Sequence, residues 1–387
     1  MASCSSNEGN TPSPSGGSAS TTADLGPSDP GGGGIRFVAS GEALALTGYP
    51  FPPSSGDDVV FVDGWQVKFS RLLVTVDNLT LAESPDRVAG DPSKIGGLAA
   101  RIAGPWAIDL AHADATSVAG KGGPDERAVP FASIKTNALR TDGTRYAFGF
   151  DVVPASANAK RVNVTGDAAA DYAEMITNGC TVLYVGAATF KGDKSDPACY
   201  PADRQGWPDI VNFRLCFKTP TTYANCQNPD NDPARPLADE EHQRGVALKE
   251  STSVIAQVTM HTDHPFWDSV IHDSPPHFDP LAARVVGVAG VPTVTLDDLK
   301  GVDYTGITDA TGKPLTWRYC TDPATDAHAK FAGPMRFFPA SVPHATSPDP
   351  TTGLRDVYDL VSYNQSTQGH LNADGLCAVT RNYPSPK

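Results

Sequence analysis

Positions 63–81 carry a long run in which apolar and polar side chains alternate over most of its length. A period of two predicts a strand with one buried face and one exposed face. The run is too long for one flat strand, so we expect a bend or bulge near residues 71–73. The 36 glycines and 34 prolines, without long Ala/Leu/Glu/Lys stretches, also favour strands and loops. The chain is therefore predicted to be mostly β.

Changes in composition along the chain divide it into four predicted regions. Residues 1–34 are rich in Ser, Gly, Thr and Pro and are predicted to be a flexible tether. We expect a β-sandwich domain at 35–190, with one helix at 168–177, and a Cys/Pro-rich insertion at 191–245. A β-rich second half at 246–387 is expected to carry a His/Asp loop, with strands at 246–260, 283–296 and 357–363.

The cysteines divide into one near the start of the chain and six further along. The six are suited to three disulfides in an oxidising compartment, because their number is even and no C-x-x-C spacing occurs. They are Cys180, Cys199, Cys216, Cys226, Cys320 and Cys377. Of the fifteen connectivities open to six cysteines, we favour local pairing among the first four and a separate bridge between the last two.

Cys4 follows Ala2 and Ser3 and precedes the Ser/Gly/Thr/Pro tract. A small-small-Cys sequence resembles the cleavage site of bacterial lipoproteins, in which the cysteine is lipidated. We therefore expect a protein lipid-anchored in the outer membrane or at the surface of a bacterial envelope. The alternative is a cytosolic protein with an unstructured tail.

A dense group of histidines and aspartates follows the strand predicted at 246–260. Neutral imidazole is the commonest metal ligand, and an H-x-x-H pair leaving a strand can converge on one ion where Asp and Pro turn the backbone. The sequence predicts a Zn or Cu site here, with the aspartates as ligands or as partners that orient an imidazole. The candidate residues are His261, Asp263, His264, Asp268, His272 and His277.

Three functions remain open for such a site. Non-catalytic holding or delivery of the ion is the leading hypothesis, and a metal-dependent hydrolase with an open position for water is the second. The fragment from His261 to His264 resembles the H-x-H-x-D-H motif of metallo-β-lactamase-fold hydrolases, but Thr259 stands where that motif has its first histidine. A surface adhesion or assembly module without metal is the third.

Four segments of the first half resemble the β-sandwich lipoproteins of bacterial envelopes, above all the copper-associated MbnP-like proteins. The segments are D-G-W-x-V-x-F at 63–69, I-D-L at 108–110, Y-x-F-x-F at 146–150 and G-x-T-V-L-Y-x-G at 179–186. The resemblance spans about residues 35–190 and implies an immunoglobulin-like or transthyretin-like sandwich with a role in transition-metal handling. It transfers no individual functional residue.

Charge bounds the partners that the chain can attract. With 30 basic and 44 acidic residues, the formal net charge is −14, which disfavours nucleic acid and anionic membrane surfaces and leaves a lipid anchor as the expected membrane contact. Metal ions and other envelope proteins are the expected partners. A calcium loop at 228–239 is a weak candidate, because Pro233 occupies the place where an EF-hand loop needs glycine.

Overall fold

The computed structural model describes residues 21–54, 59–88, 91–121, 123–227, 244–269, 274–321, 333–337, 354–367 and 377–382. The predicted lipidation site Cys4, the candidate ligand His272, most of the tether and the whole calcium loop lie outside these residues.

Fifteen strands and four α-helices make up the regular structure of these residues. The first strands are β1 (Gly34–Ser40), β2 (Trp65–Glu83), β3 (Leu98–Ile102), β4 (Trp106–Asp109), β5 (Val118–Gly120), β6 (Gly123–Lys135), β7 (Arg145–Val152) and β8 (Lys160–Arg161). The others are β9 (Val182–Phe190), β10 (Ile210–Phe217), β11 (Thr221–Cys226), β12 (Val246–Ala247), β13 (Val254–Thr259), β14 (Thr293–Thr295) and β15 (Ala378–Arg381). The helices are α1 (Glu42–Thr47), α2 (Asp167–Asn178), α3 (Asp279–Ala282) and α4 (Val357–Ser366).

The strands form two mixed sheets. The larger, with 11 strands, has the order β14-β10-β9-β2-β7-β11-β15, with β3 and β4 on β2, β12 on β7 and β8 on β4. The smaller has the order β13-β1-β6-β5, and its β1–β13 pair is parallel. Aromatic contacts join the sheets. The ring centroids of Phe37 in β1 and Phe148 in β7 lie 5.8 Å apart, and those of Trp106 in β4 and Phe131 in β6 lie 5.4 Å apart. The prediction of a mostly β protein is confirmed, and the immunoglobulin-like or transthyretin-like topology stays a prediction.

Strand β2 is the long strand expected from the alternation. Its first part pairs with β9 and its last part with β3 and β7, so one strand serves several partners. The register with β9 shifts between Phe69 and Arg71, next to the expected bulge, and a second shift lies between Asp77 and Thr80. Such shifts let a long strand bend and twist while it stays hydrogen-bonded.

The second half is less regular than expected. The strand predicted at 246–260 is confirmed in part by β12 and β13. Over 283–296 the chain forms short helical turns and only the three-residue β14. The strand predicted at 357–363 is wrong, because these residues belong to α4. The polar residues Asp359, Asn364, Gln365 and Ser366 of α4 are buried together with its apolar residues, so its sequence does not show the separate polar and apolar faces of a surface helix.

The disulfides join Cys180 to Cys216, Cys199 to Cys320 and Cys226 to Cys377. All six cysteines are paired as expected, and the first bridge is local, but the expected bridge between the last two is wrong. Strand pairing explains one difference, since β11 lies beside β15 and carries its cysteine to the last one. In the other, the Tyr319 N–H donates to the Ala198 carbonyl at 3.2 Å, which brings the residues that precede Cys320 and Cys199 together.

Candidate metal centre

The loop after β13 turns sharply and gathers three of the predicted ligands. A single helical turn at His264–Phe266 contains Pro265, and the Phe266 N–H donates to the Asp263 carbonyl at 2.8 Å. One donor atom from each of His261, Asp263 and His264 lies within 4.8 Å of the others. The structure therefore brings together three side chains that can hold a metal ion.

Two buried tyrosines fix the backbone and side chains of this loop. The Tyr184 hydroxyl donates to the His261 carbonyl at 3.1 Å, and the hydroxyls of Tyr49 and Thr262 lie 2.6 Å apart. Burial raises the pKa of both tyrosines, so their phenol groups stay protonated and neutral. The backbone of the loop is held in place before any ion binds, which reduces the entropy lost on binding.

The His264 ring is oriented by the end of α4. Its Nδ1 lies 2.7 Å from the Thr367 hydroxyl oxygen and 3.1 Å from the Thr367 carbonyl oxygen. Because a carbonyl oxygen can only accept, we assign the proton to Nδ1, which leaves Nε2 as the atom that would bind an ion. Thr367 directly follows the C-terminus of α4, where the helix dipole favours positive charge.

The His261 ring has a partner that sequence reasoning missed. Its Nδ1 lies 3.2 Å from the Glu42 carboxylate Oε2, in the arrangement by which a carboxylate orients a metal-binding imidazole. Both His261 and His264 are therefore oriented through Nδ1, and their rings stack with centroids 4.7 Å apart. No local pattern marks Glu42, because the contact depends on the pairing of β1 with β13.

Burial and charge decide how tightly the group holds protons. Burial raises the pKa of Asp263, whose Oδ2 accepts a hydrogen bond from the Trp267 indole at 3.0 Å. Burial by itself lowers the pKa of His261, but the carboxylates of Glu42, Asp263 and Glu126 together outweigh it, and the net pKa lies above the ordinary value. An incoming cation therefore competes with protons at this site.

The candidates Asp268 and His277 lie together in a different cluster. His277 Nε2 is 3.4 Å from Asp268 Oδ2, and its Nδ1 is 3.8 Å from Asp63 Oδ2. The ring nitrogens face different carboxylates, so one ion cannot take all three groups. Asp63 also accepts the backbone N–H groups of Phe278 and Asp279 at 2.7 and 2.8 Å. This buried cluster anchors the chain just beyond the loop that carries His261, Asp263 and His264.

Comparison of the chain with protein-family models, with curated proteins and with solved structures gives no match. Within the described part of the chain, no helix is long and apolar enough to cross a membrane. The three disulfides indicate an oxidising, extracytoplasmic location.

Proposed function

We propose that this protein binds one transition-metal ion, Zn or Cu, and holds or delivers it outside the cytoplasm. The observation that carries the proposal is the convergence of His261, Asp263 and His264 within 4.8 Å on one turn. Imidazole and carboxylate donors together suit Zn and Cu. Donor atoms on one tetrahedral ion lie roughly 3.4 Å apart at bond lengths of about 2.0–2.2 Å. Side-chain rotations that move each donor atom by about 1 Å would therefore bring the three atoms to a distance at which they bind one ion.

Burial favours holding the ion over catalysis. The side chains of His261 and His264 are almost fully buried, and Asp263 keeps only partial exposure. A bound ion would thus face protein on most sides, which restricts the approach of a substrate. An adhesion or assembly module needs no such group, and it remains the reading if the protein binds no metal.

A metal-dependent hydrolase is the second candidate function. It is supported by the number of ligands, because three protein ligands leave a fourth position for an activated water. Hydrolysis of nitrophenyl acetate and nitrophenyl phosphate by the Zn²⁺-loaded protein tests it. Turnover that is lost in His264→Ala would support a hydrolase, and equal background rates in both proteins would leave binding as the function.

The location in a bacterial envelope is part of the proposal. It is supported by the sequence around Cys4 and by the resemblance of residues 35–190 to MbnP-like lipoproteins, which also favours copper as the ion. Radiolabelled palmitate incorporation into the protein, compared with Cys4→Ala, tests the lipid anchor. Absence of label in both would contradict it.

Metal content measured by inductively coupled plasma mass spectrometry on untagged protein tests the binding function. Stoichiometric Zn or Cu is expected in the native protein and in the control His112→Ala, whose ring pairs with Asp109 at 2.9 Å outside the group. The metal is expected to disappear in His261→Ala and His264→Ala. Native protein that retains neither metal after incubation and desalting would refute the proposal.

A further inference from the structure

We propose that Glu42 makes this site selective for divalent over monovalent cations, an inference that rests on the proposed metal-binding function. Glu42 is not one of the three converging ligands.

The parallel pairing of β1 with β13 explains why Glu42 meets His261. Ser40 is the register partner of Thr259. Glu42 lies two positions after Ser40, and His261 lies two positions after Thr259. Parallel strands end at the same edge of a sheet, so the residues that follow them emerge side by side. The Met260 N–H donates to the Ser40 carbonyl at 2.9 Å and continues the pairing to this edge.

Glu42 has an unfavourable backbone conformation at its position beside His261. Its φ is +62°, in the left-handed region that favours glycine, and its N–H donates to the Ser40 hydroxyl at 2.8 Å. Gly41 is required before it, since a Cβ there would lie 2.5 Å from the Ala45 Cβ. Strained residues of this kind cluster at functional sites, where the surrounding structure fixes them.

Glu42 stands at the mouth of the site. Its side chain is 33% exposed, compared with 4% for His261. A cation approaching from solvent therefore meets the Glu42 carboxylate beside the buried imidazoles. The negative charge of Glu42 attracts the ion whether or not the carboxylate coordinates it.

Carboxylates dominate the electrostatic surroundings of His261. The charged neighbours with the largest effect on it are Glu42, Asp263 and Glu126, all of them acidic. Glu126 is buried and accepts a hydrogen bond from the Gln257 amide at 2.7 Å. A divalent ion balances two of these three charges, whereas a monovalent ion leaves two of them uncompensated, and solvent cannot screen Glu126, which is one of the three.

The donor atoms point to the same class of ion. The converging group offers two imidazoles and one carboxylate, without sulfur. Monovalent copper prefers thiolate and thioether ligands, whereas imidazole with carboxylate suits Zn²⁺ and Cu²⁺. Met260 precedes the loop but is fully buried in the hydrophobic core.

The charge effect can be separated from an orienting effect by comparing two ions. Coulomb energy is proportional to the charge of the ion. Loss of one carboxylate charge should therefore lower the logarithm of the binding constant twice as much for a divalent ion as for a monovalent ion. Loss of a partner that orients a metal ligand costs about 10–100-fold in affinity. A purely orienting role would reduce the affinities for both ions by the same factor.

Competition with a chromophoric chelator would measure Zn²⁺ and Ag⁺ affinities for the full chain, with Ag⁺ as a monovalent probe that resists oxidation. In Glu42→Gln, which keeps the shape and a hydrogen-bond acceptor, we expect about a 100-fold loss for Zn²⁺ and about a 10-fold loss for Ag⁺. Glu42→Asp keeps the charge and should keep the native Zn²⁺/Ag⁺ ratio. Glu83→Gln, at an exposed position of β2, is the matched control.

The outcomes separate this inference from the function on which it rests. Equal losses for the two ions in Glu42→Gln, or no loss for Zn²⁺, would overturn the selectivity role while metal binding stands. A ratio that shifts as much in Glu42→Asp as in Glu42→Gln would overturn it as well. Native protein that binds neither ion would refute the metal-binding function itself.

Discussion

Asp63→Asn tests the buried charge cluster that anchors the chain beyond the candidate metal centre. The Asp63 side chain is fully buried, and burial, with the charge of Asp279, raises its pKa to about 6 from an ordinary value of 3.8. Asparagine has nearly the same shape and keeps an oxygen that accepts from the N–H groups of Phe278 and Asp279. The substitution therefore removes the titrating charge with little change in shape.

The size and sign of the effect follow from linkage. A pKa that is higher in the folded state gives stability that is fully present below the unfolded pKa and is lost as pH rises through the folded pKa. For Asp63 the difference is about two pKa units, or about 3 kcal/mol, lost between about pH 4 and pH 7. At about 2.1 cal/mol/K of unfolding entropy per residue, that corresponds to about 4 °C in Tm for a chain of this length.

Urea unfolding at a series of pH values measures this effect. The native free energy of unfolding minus that of Asp63→Asn is expected to fall by about 3 kcal/mol from pH 4 to pH 7. Asp297→Asn, at a position whose side chain is 61% exposed, is the control for removal of a carboxylate. A difference that stays constant or increases with pH would refute the reasoning, because Asp63 would then be ionised without penalty.

Three further predictions concern the cluster, the metal site and the disulfides. Burial lowers the pKa of His277, but Asp268 and Asp63 outweigh it and raise the net pKa above 6.5, so stability should continue to fall as pH rises above that value. Tm in His277→Gln should lack this alkaline decline. Thr367→Val should weaken Zn²⁺ binding by about 10-fold in a chelator competition, because it removes the hydroxyl beside His264 Nδ1. Replacing Cys226 and Cys377 by serine opens a cross-link over 151 residues and should cost about 4–5 kcal/mol in urea unfolding, and unchanged stability would contradict the chain-entropy account.

Local patterns predicted those elements whose side chains face two different environments. Strand β2 alternates between buried and more exposed side chains towards both ends, which marks it, although residues 72–76 are buried on both faces. Helix α2 has one buried face and ends at Gly179 in the left-handed conformation, which glycine favours. Helix α4 escaped prediction because protein surrounds most of its residues, so no polar face shows the helical period.

Composition and near neighbours are enough to predict a mostly β protein, three disulfides from six cysteines, and one turn shared by His261, Asp263 and His264. Tertiary structure was needed to bring Glu42 to His261 and to place His277 in another cluster. It also decided the two long-range disulfides. These contacts join residues far apart in the chain, and pairing and packing of the whole fold select them where local periodicity carries no signal.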